Sequence, residues 1–194
     1  LAARLNAARF SRGQEPVVFP RDSSFLGVMI DDLVTKGVDD PYRMLTARAE
    51  YRLILRHDNA DLRLTPLARE VGLCDDRRWA RLERKQEAIE RGRAWLQDRT
   101  ASPSDTWVEE WGTAAPRERT SLFELLRRPE TRLDRLAQVI QEDPFGGLEL
   151  SDRQRTEAVE QLDLAAKYEG YIHIQRRQAA RSRKLDTMRI PETW

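Results

Sequence analysis

The sequence predicts a mainly α-helical protein with a small non-helical part near its start. Three observations carry that reading. Long segments repeat apolar residues at helical spacing, notably 75–97 and 151–188. Helix start and stop signals punctuate the chain: Ser121 with Glu124, Asp75 and Ser151 as starts, Gly13, Gly37 and Gly72 as stops. Charged residues make up 35% of the chain at a mean hydropathy of −0.71, which suits exposed helices laced with ion pairs.

Taken in order, Leu1, Leu5 and Ala8 begin a helix that Gly13 stops. It opens without an initiator methionine or a cap. Together with the aromatic Trp194 at the other end, this is expected of a chain cut from something longer. Residues 14–21, with Pro16, Val17, Val18, Phe19 and Pro20, read as an extended connector or a short strand. Asp22 or Ser23 caps a helix through Phe25, Val28, Met29 and Leu33, ended by Gly37. Pro41 to Leu45 is extended, and a helix is expected from Thr46 or Ala47 to Arg56. Asp58 to Asp61 reads as a turn, because these side chains bond nearby backbone amides. Thr65-Pro66 reads as a helix start, a hydroxyl cap before a proline at the first helical position, and Gly72 as its stop. A long helix follows from Asp75 or Asp76 to about Gln97, with Trp79, Leu82, Ile89 and Leu96 as its apolar stripe. Residues 98–120, with Pro103, Gly112 and Pro116, read as a loop. Ser121 to Glu124 is a capping box whose helix Pro129 interrupts, and Leu133, Leu136, Val139 and Ile140 continue an apolar face. Pro144 and Gly146-Gly147 break again before a last long helix from Ser151 to about Met188.

Several functions are excluded or disfavoured. Thirty-four basic against 33 acidic residues give +1, so only local clustering can argue for nucleic acid. No apolar run approaches the roughly 20 residues of a membrane span, and no signal-peptide pattern is visible. A single cysteine, Cys74, excludes an internal disulfide and fits a reducing cytosol; with neither His57 nor His173 near it in sequence, it reads as a small buried hydrophobe. Two histidines so far apart give no metal-ligand spacing, and Asp58 to Asp61 lacks the glycine and closing glutamate of a calcium loop. No glycine-rich phosphate loop is present. The pairs Asp31-Asp32 and Asp39-Asp40 read as caps or as partners for arginines rather than as general bases.

The sharpest candidate is a row of arginines. Arg48, Arg52 and Arg56 fall four apart, one side of a helix, within a segment where Lys36, Arg43, Arg48, Arg52 and Arg56 face only Asp39, Asp40 and Glu50. Such a row needs anions, either the chain's own carboxylates or phosphates brought by a partner; Tyr42 and Tyr51 among them suit stacking on bases. A second basic cluster, Arg176, Arg177, Arg181, Arg183, Lys184 and Arg189 against Asp186, lies at the end of the last helix, where cations also complement the helix dipole.

The residues themselves carry a resemblance. Phe25-Leu-Gly-Val-Met-Ile-Asp-Asp-Leu-Val-Thr-Lys-Gly37, Pro41-Tyr-Arg-Met44, Arg48-Ala-Glu-Tyr-Arg-Leu53 and Arg56-His-Asp-Asn-Ala-Asp-Leu-Arg-Leu-Thr65 closely resemble the GidA/MnmG family. Gly72-Leu-Cys-Asp-Asp-Arg-Arg-Trp79, Leu125-Leu-Arg-Arg-Pro-Glu130 and Lys167-Tyr-Glu-Gly-Tyr-Ile172 extend the resemblance over essentially the whole chain. The family comprises FAD-dependent enzymes that install 5-carboxymethylaminomethyl groups on the wobble uridine of tRNA. The resemblance implies a cytoplasmic C-terminal fragment: residues 1–21 as the tail of an α/β FAD-binding domain, and 22–194 as a multi-helix domain with a loop at about 98–120, truncated before the family's final helical tail. The family's FAD-binding glycines and catalytic cysteines lie upstream, so no catalytic, flavin-binding or metal residue is expected here, FAD and the reductant NADH belonging to the full-length enzyme.

The resemblance further implies tRNA contact through Lys36, Arg43, Arg48 and Arg52, with Arg56 and the 176–189 cluster as weaker contributors. It implies a homodimer and the GTPase MnmE as partners of the full-length enzyme. The alternative is a protein-interaction module for homodimerisation or for docking that GTPase, with the arginines as internal glue and Lys167 to Tyr171 as an interface or a packing site where Gly170 permits close approach. Three departures stand out. Ala47 replaces the usual serine of a capping box, unless Thr46 substitutes; His57 replaces Glu or Gln; Cys74 stands at an aliphatic position.

Overall fold

The computed structural model describes residues 1–37, 39–186 and 188. Contacts divide the chain into two compact units, residues 1–56 with 179–194, and residues 57–178.

In the first unit, α1 (Ala2–Phe10) ends at a turn where Gly13 takes a left-handed φ of 64°. The connector that follows has no regular structure, and the amide of Asn6 holds it by exchanging two hydrogen bonds with the backbone of Val17. Helix α2 (Phe25–Thr35) begins one residue later than the sequence suggests, because Ser24 supplies the cap: its hydroxyl accepts from the amide of Gly27 at 3.0 Å. Gly27 is required by packing. A Cβ there would overlap the carbonyl oxygens of Pro20 and Phe19.

The expected helix over 46–56 does not form. Only Thr46–Arg48 is helical, as a single 3₁₀ turn, followed by a turn in which Ile54 and Leu55 donate to the carbonyl of Tyr51. The reason is tertiary. Ala49 and Leu55 are both buried against Val28, and a helix would set them about 120° apart. With no helix here, neither Ala47 nor Thr46 acts as a helix cap: the turn has no side-chain cap.

The second unit is built on a larger core. Helix α3 (Ala60–Glu70) starts five residues before Thr65, so Pro66 lies inside it rather than at its first turn. Asp61 explains the early start: its Oδ1 accepts from the amide of Leu62, and the same carboxylate pairs with Lys85. Gly72 ends the helix region with a φ of 76°. Helix α4 (Asp76–Asp98) is capped by Asp75, whose carboxylate accepts from the amide of Arg78.

The predicted loop 98–120 contains structure. Strand β1 (Thr100–Ala101) pairs antiparallel with β2 (Thr120–Ser121), Thr100 opposite Ser121, and between them lies α5 (Trp107–Trp111). A five-residue helix leaves no period to read among prolines and serines. Burial makes it: Val108 and Trp111 are fully enclosed, the Trp111 indole donates to the carbonyl of Arg132, and Gly112 closes the turn at φ 98°.

Ser121 caps α6 (Leu122–Leu126) as expected, accepting from the amide of Glu124. Helix α7 (Leu133–Ile140) follows, and its first amide donates to the carboxylate of Asp163. Helix α8 (Asp152–Asp186) is the longest. Its Ala158, Leu162 and Ala166 meet Ala88, Trp95 and Leu96 of α4 in one apolar cluster with Trp111, Leu126, Leu136 and Phe145. Gly92 lets the two helices approach: a Cβ there would stand 2.5 Å from Leu162 Cδ1.

Candidate nucleic-acid interface

The acids of α2 decide what the basic segment can do. Asp32 is 1% exposed, at helical spacing from Val28 on the buried side of α2. A carboxylate taken out of water needs partners, and it has four. Arg21 Nη1 and Lys36 Nζ each donate to Oδ1 at 2.8 Å, the Tyr42 hydroxyl donates to Oδ2 at 3.0 Å, and Arg48 Nη1 stands 3.6 Å from Oδ2. The hydrogen bonds from Lys36 and then Arg21 hold the Asp32 carboxyl well below the usual carboxylate range, outweighing the opposing effect of burial.

Arg21 is the second centre of this network. It donates to Asp31 at 2.7 Å, grips Glu50 through Nη2 at 2.6 Å and Nε at 3.3 Å, and reaches the carbonyls of Val28 and Arg48. Burial disfavours its charge, but hydrogen bonds to Glu50, Asp32 and Asp31 raise its pKa still further above its ordinary value. Burial and the bond to Asp32 likewise keep the Tyr42 hydroxyl protonated to higher pH. The Arg48 guanidinium lies over the Tyr42 ring, 4.9 Å from its centroid.

The predicted row is therefore not a helix face. Arg48 is half drawn into the Asp32 network, and Arg56 donates to the carbonyl of Leu53 at 2.8 Å. Arg43 and Arg52 are exposed and have neither a hydrogen bond nor an ion pair among the described residues. Lys36 is exposed along its stem but shares Asp32. Asp31 and Asp32 do partner basic residues, as the sequence reading prefers, yet their principal partner, Arg21, escaped that reading. Its contacts lie 10, 11 and 29 residues away, beyond any local spacing.

Of the second cluster, Arg176, Arg177 and Arg181 are exposed on α8, and Arg183 pairs with Asp22, Nε to Oδ1 at 3.2 Å. Arg189 and the side chain of Asp186 lie outside the described residues. A Cβ on Gly170 would meet nothing within 4 Å, so among the described residues no close approach uses it. Cys74 is buried with its thiol against the carbonyl of Asp75, consistent with a small hydrophobe.

The second unit has a cleft of about 590 Å³ around Lys85. This lysine is 3% exposed; its Nζ donates to Asp61 at 2.8 Å and lies 3.6 Å from Glu157. Arg81 and Arg153 hold the same Glu157, and Gln161 donates to Asp58 at 2.6 Å. Lys85, Arg81 and Arg153 are thus spent on the cleft's own acids, whereas Arg78, which also lines it, pairs with no acid among the described residues. The sequence does carry a signal for Lys85, which stands three residues after Leu82 and four before Ile89, on the apolar stripe. Among the described residues no group of three or more His, Cys, Asp or Glu could hold a metal ion, and no helix is long and apolar enough to cross a membrane.

Comparison with known proteins follows the same residues. A family model described as the tRNA modifying enzyme MnmG/GidA C-terminal helical domain matches residues 76–176. The tRNA uridine 5-carboxymethylaminomethyl modification enzyme MnmG of Listeria welshimeri is 42% identical over 195 residues, covering 99% of this chain and 30% of that protein. The enzyme of the same name from a Roseiflexus species is 45% identical, over 98% of this chain and 27% of its own length. Among solved structures, Aquifex aeolicus GidA superposes with a TM-score of 0.76 at 33% identity in its form II crystal, over 99% of this chain and 29% of that one. Its form I crystal gives 0.73, also at 33% identity, over 97% and 27%. The chain thus spans about 30% of the length of the relatives it matches.

Proposed function

The chain belongs to the MnmG/GidA family, and on that premise we propose that it is the tRNA-recognition and scaffolding part of an FAD-dependent enzyme that forms 5-carboxymethylaminomethyluridine at the tRNA wobble position. Residues 1–21 are on this reading the tail of the FAD-binding domain, and 22–194 the cytoplasmic helical domain that presents cations to tRNA. One observation supports it most: Arg43 and Arg52 are exposed with no partner among the described residues, in the same segment as Lys36 and Arg48. An unneutralised guanidinium offers its full fork to a phosphate. Lys36 and Arg48 must first leave Asp32, so they contribute less.

The flavin itself does not fit these residues. The sheet among them is an antiparallel pair of two-residue strands, and left-handed glycines such as Gly13 and Gly72 sit in helix-ending turns, not between a strand and a helix. On this reading FAD and the reductant NADH belong to other parts of the enzyme.

The test is fluorescence anisotropy of labelled tRNA against salt concentration. Arg43→Ala and Arg52→Ala are each expected to weaken binding and to flatten the slope of log affinity on log salt by roughly 0.7 to 0.9, one phosphate contact apiece. Lys36→Ala and Arg48→Ala change it less. Unaltered affinity and slope in both Arg43→Ala and Arg52→Ala overturn the phosphate reading.

A second reading, an interaction module for homodimerisation or for the GTPase MnmE, is favoured by one feature. Tyr168, Tyr171 and Ile174 stand three residues apart on α8, and the last two are 64% and 53% exposed. If this is an interface, Tyr171→Glu with Ile174→Glu disperses a dimer in sedimentation or releases the GTPase in pull-downs while leaving tRNA affinity intact.

A further inference from the structure

We infer that Arg21 and Glu50 are positioning residues for the basic segment 39–56, holding it in its tRNA-competent shape without themselves touching tRNA. The inference rests on the tRNA-recognition reading and concerns residues which that reading does not use. Segment 39–56 contains one 3₁₀ turn and no strand, so few backbone hydrogen bonds fix it. Its apolar anchorage is also slight: Ala49 and Leu55 against Val28, with Met44 and Phe25 alongside. Fixing each backbone residue costs conformational entropy, which such a small cluster offsets only in part.

Arg21 supplies a different constraint. Its side chain is only 21% exposed and all three guanidinium nitrogens are engaged. One side of the fork is fixed to α2 through Asp31, Asp32 and the carbonyl of Val28. The other side holds Glu50 by two bonds and the carbonyl of Arg48 at 3.2 Å, so it pins the backbone of a proposed contact residue directly. A guanidinium so occupied has no fork left for a phosphate. A lysine could not replace it, since one ammonium cannot span both sides.

Two substitutions separate positioning from charge. Arg21→Lys conserves charge. Binding of tRNA to the full chain should weaken about tenfold, as expected when the competent shape falls to about a tenth of the population, while the salt slope stays at the wild-type value. Amide exchange over 39–56 should accelerate, and that of 57–178 should not. Glu50→Gln removes a negative charge beside the cations, so simple electrostatics predicts tighter tRNA binding, whereas positioning predicts weaker binding. Glu50 is 51% exposed, so this variant also serves if Arg21→Lys fails to fold. Weaker binding by both at unchanged slope supports the assignment. Wild-type or tighter binding by Glu50→Gln overturns it, as does a flattened slope in Arg21→Lys. Arg43→Ala and Arg52→Ala run alongside: if they lower the slope while Glu50→Gln binds normally, the positioning role alone falls. If they too change nothing, the recognition reading falls and this inference with it.

Discussion

The two units solve the same problem with different physics. Residues 57–178 enclose a continuous apolar cluster in which Leu96, Trp111, Leu126, Leu136, Phe145 and Leu162 are fully buried. The described residues of 1–56 with 179–194 enclose a small cluster of Val28, Ala49 and Leu55, with Ala179 also buried, and spend Arg21, Asp31, Asp32, Lys36, Arg48 and Glu50 on one another instead. Apolar burial is insensitive to pH and salt at these scales, whereas ion pairs that reach the surface are screened and titrate. The charge-held unit is also the one carrying the proposed phosphate contacts. A region rich in arginine cannot bury many of them, so its order must come from pairing most and leaving a few exposed.

The largest effect should fall on the apolar unit. Leu96 is fully buried on α4, in the apolar cluster that also holds Leu122, Leu126 and Leu162. Leu96→Ala should cost about 3 to 4 kcal/mol through lost transfer energy and the cavity left behind, read by denaturant melts and by amide exchange over 57–178. Leu55→Ala in the charge-held unit removes a side chain with fewer apolar neighbours and should cost about 2 kcal/mol, the low end of the same range. Equal losses would mean that the small cluster, not the ion network, orders residues 1–56.

What was legible in the sequence follows the same division. Helices α2, α4 and α8 leave apolar periods that the sequence reading places within a few residues, while α7, which has no side-chain cap, is legible only as an apolar face after Pro129. Helix α5 is set by the enclosure of Val108 and Trp111, and α3 by the pairing of Asp61 with Lys85; neither signal is local. The arginine row shows the limit most plainly. Spacing of four is evidence of a shared face only if the helix exists, and burial of Ala49 and Leu55 prevents it here. Of the candidate site, the basic residues and the acids of α2 were readable; the bridge between them, Arg21 to Glu50 across 29 residues, was not.

A smaller and more selective effect is expected from acid. The Asp32 carboxyl titrates below its unfolded range, so its contribution is complete above that range and is lost as pH falls toward the folded value. Asp163, in the apolar unit, has the opposite sign. Burial pushes its carboxyl up, more than the bond from the amide of Leu133 pulls it down, so the folded state holds its proton more tightly than the unfolded chain does. Its effect on stability is least unfavourable in acid and worsens as pH rises through the raised value. Lowering pH from about 5 to about 3 should therefore reduce amide-exchange protection in residues 1–56; in 57–178 the carboxyls of Glu130, Asp134, Asp143 and Glu157 are held low as well, and Asp163 opposes them. Asp32→Asn should flatten the first response, and Asp163→Asn should remove that opposition. Acid profiles shifted in the same direction by Asp32→Asn and Asp163→Asn would break the contrast.

The smallest effect compares two caps of the same chemistry. Ser24 accepts from the amide of Gly27 at 3.0 Å inside a buried turn, and Ser121 accepts from the amide of Glu124 at 3.2 Å near the surface. Each serine-to-alanine change should cost about 1 kcal/mol, but the two costs should be spent differently. Helix α6, of five residues, is held by the burial of Leu122, Phe123, Leu125 and Leu126, so losing its cap should fray one turn and leave the cluster closed. Helix α2 carries Asp31 and Asp32, so loosening its first turn also moves the acceptors of Arg21. Amide exchange should then rise beyond α2, out to the segment around Arg48 and Glu50, in Ser24→Ala, and stay within α6 in Ser121→Ala. Confinement of the Ser24→Ala effect to the first turn of α2 would show that the charge network holds that segment independently of the helix beneath it.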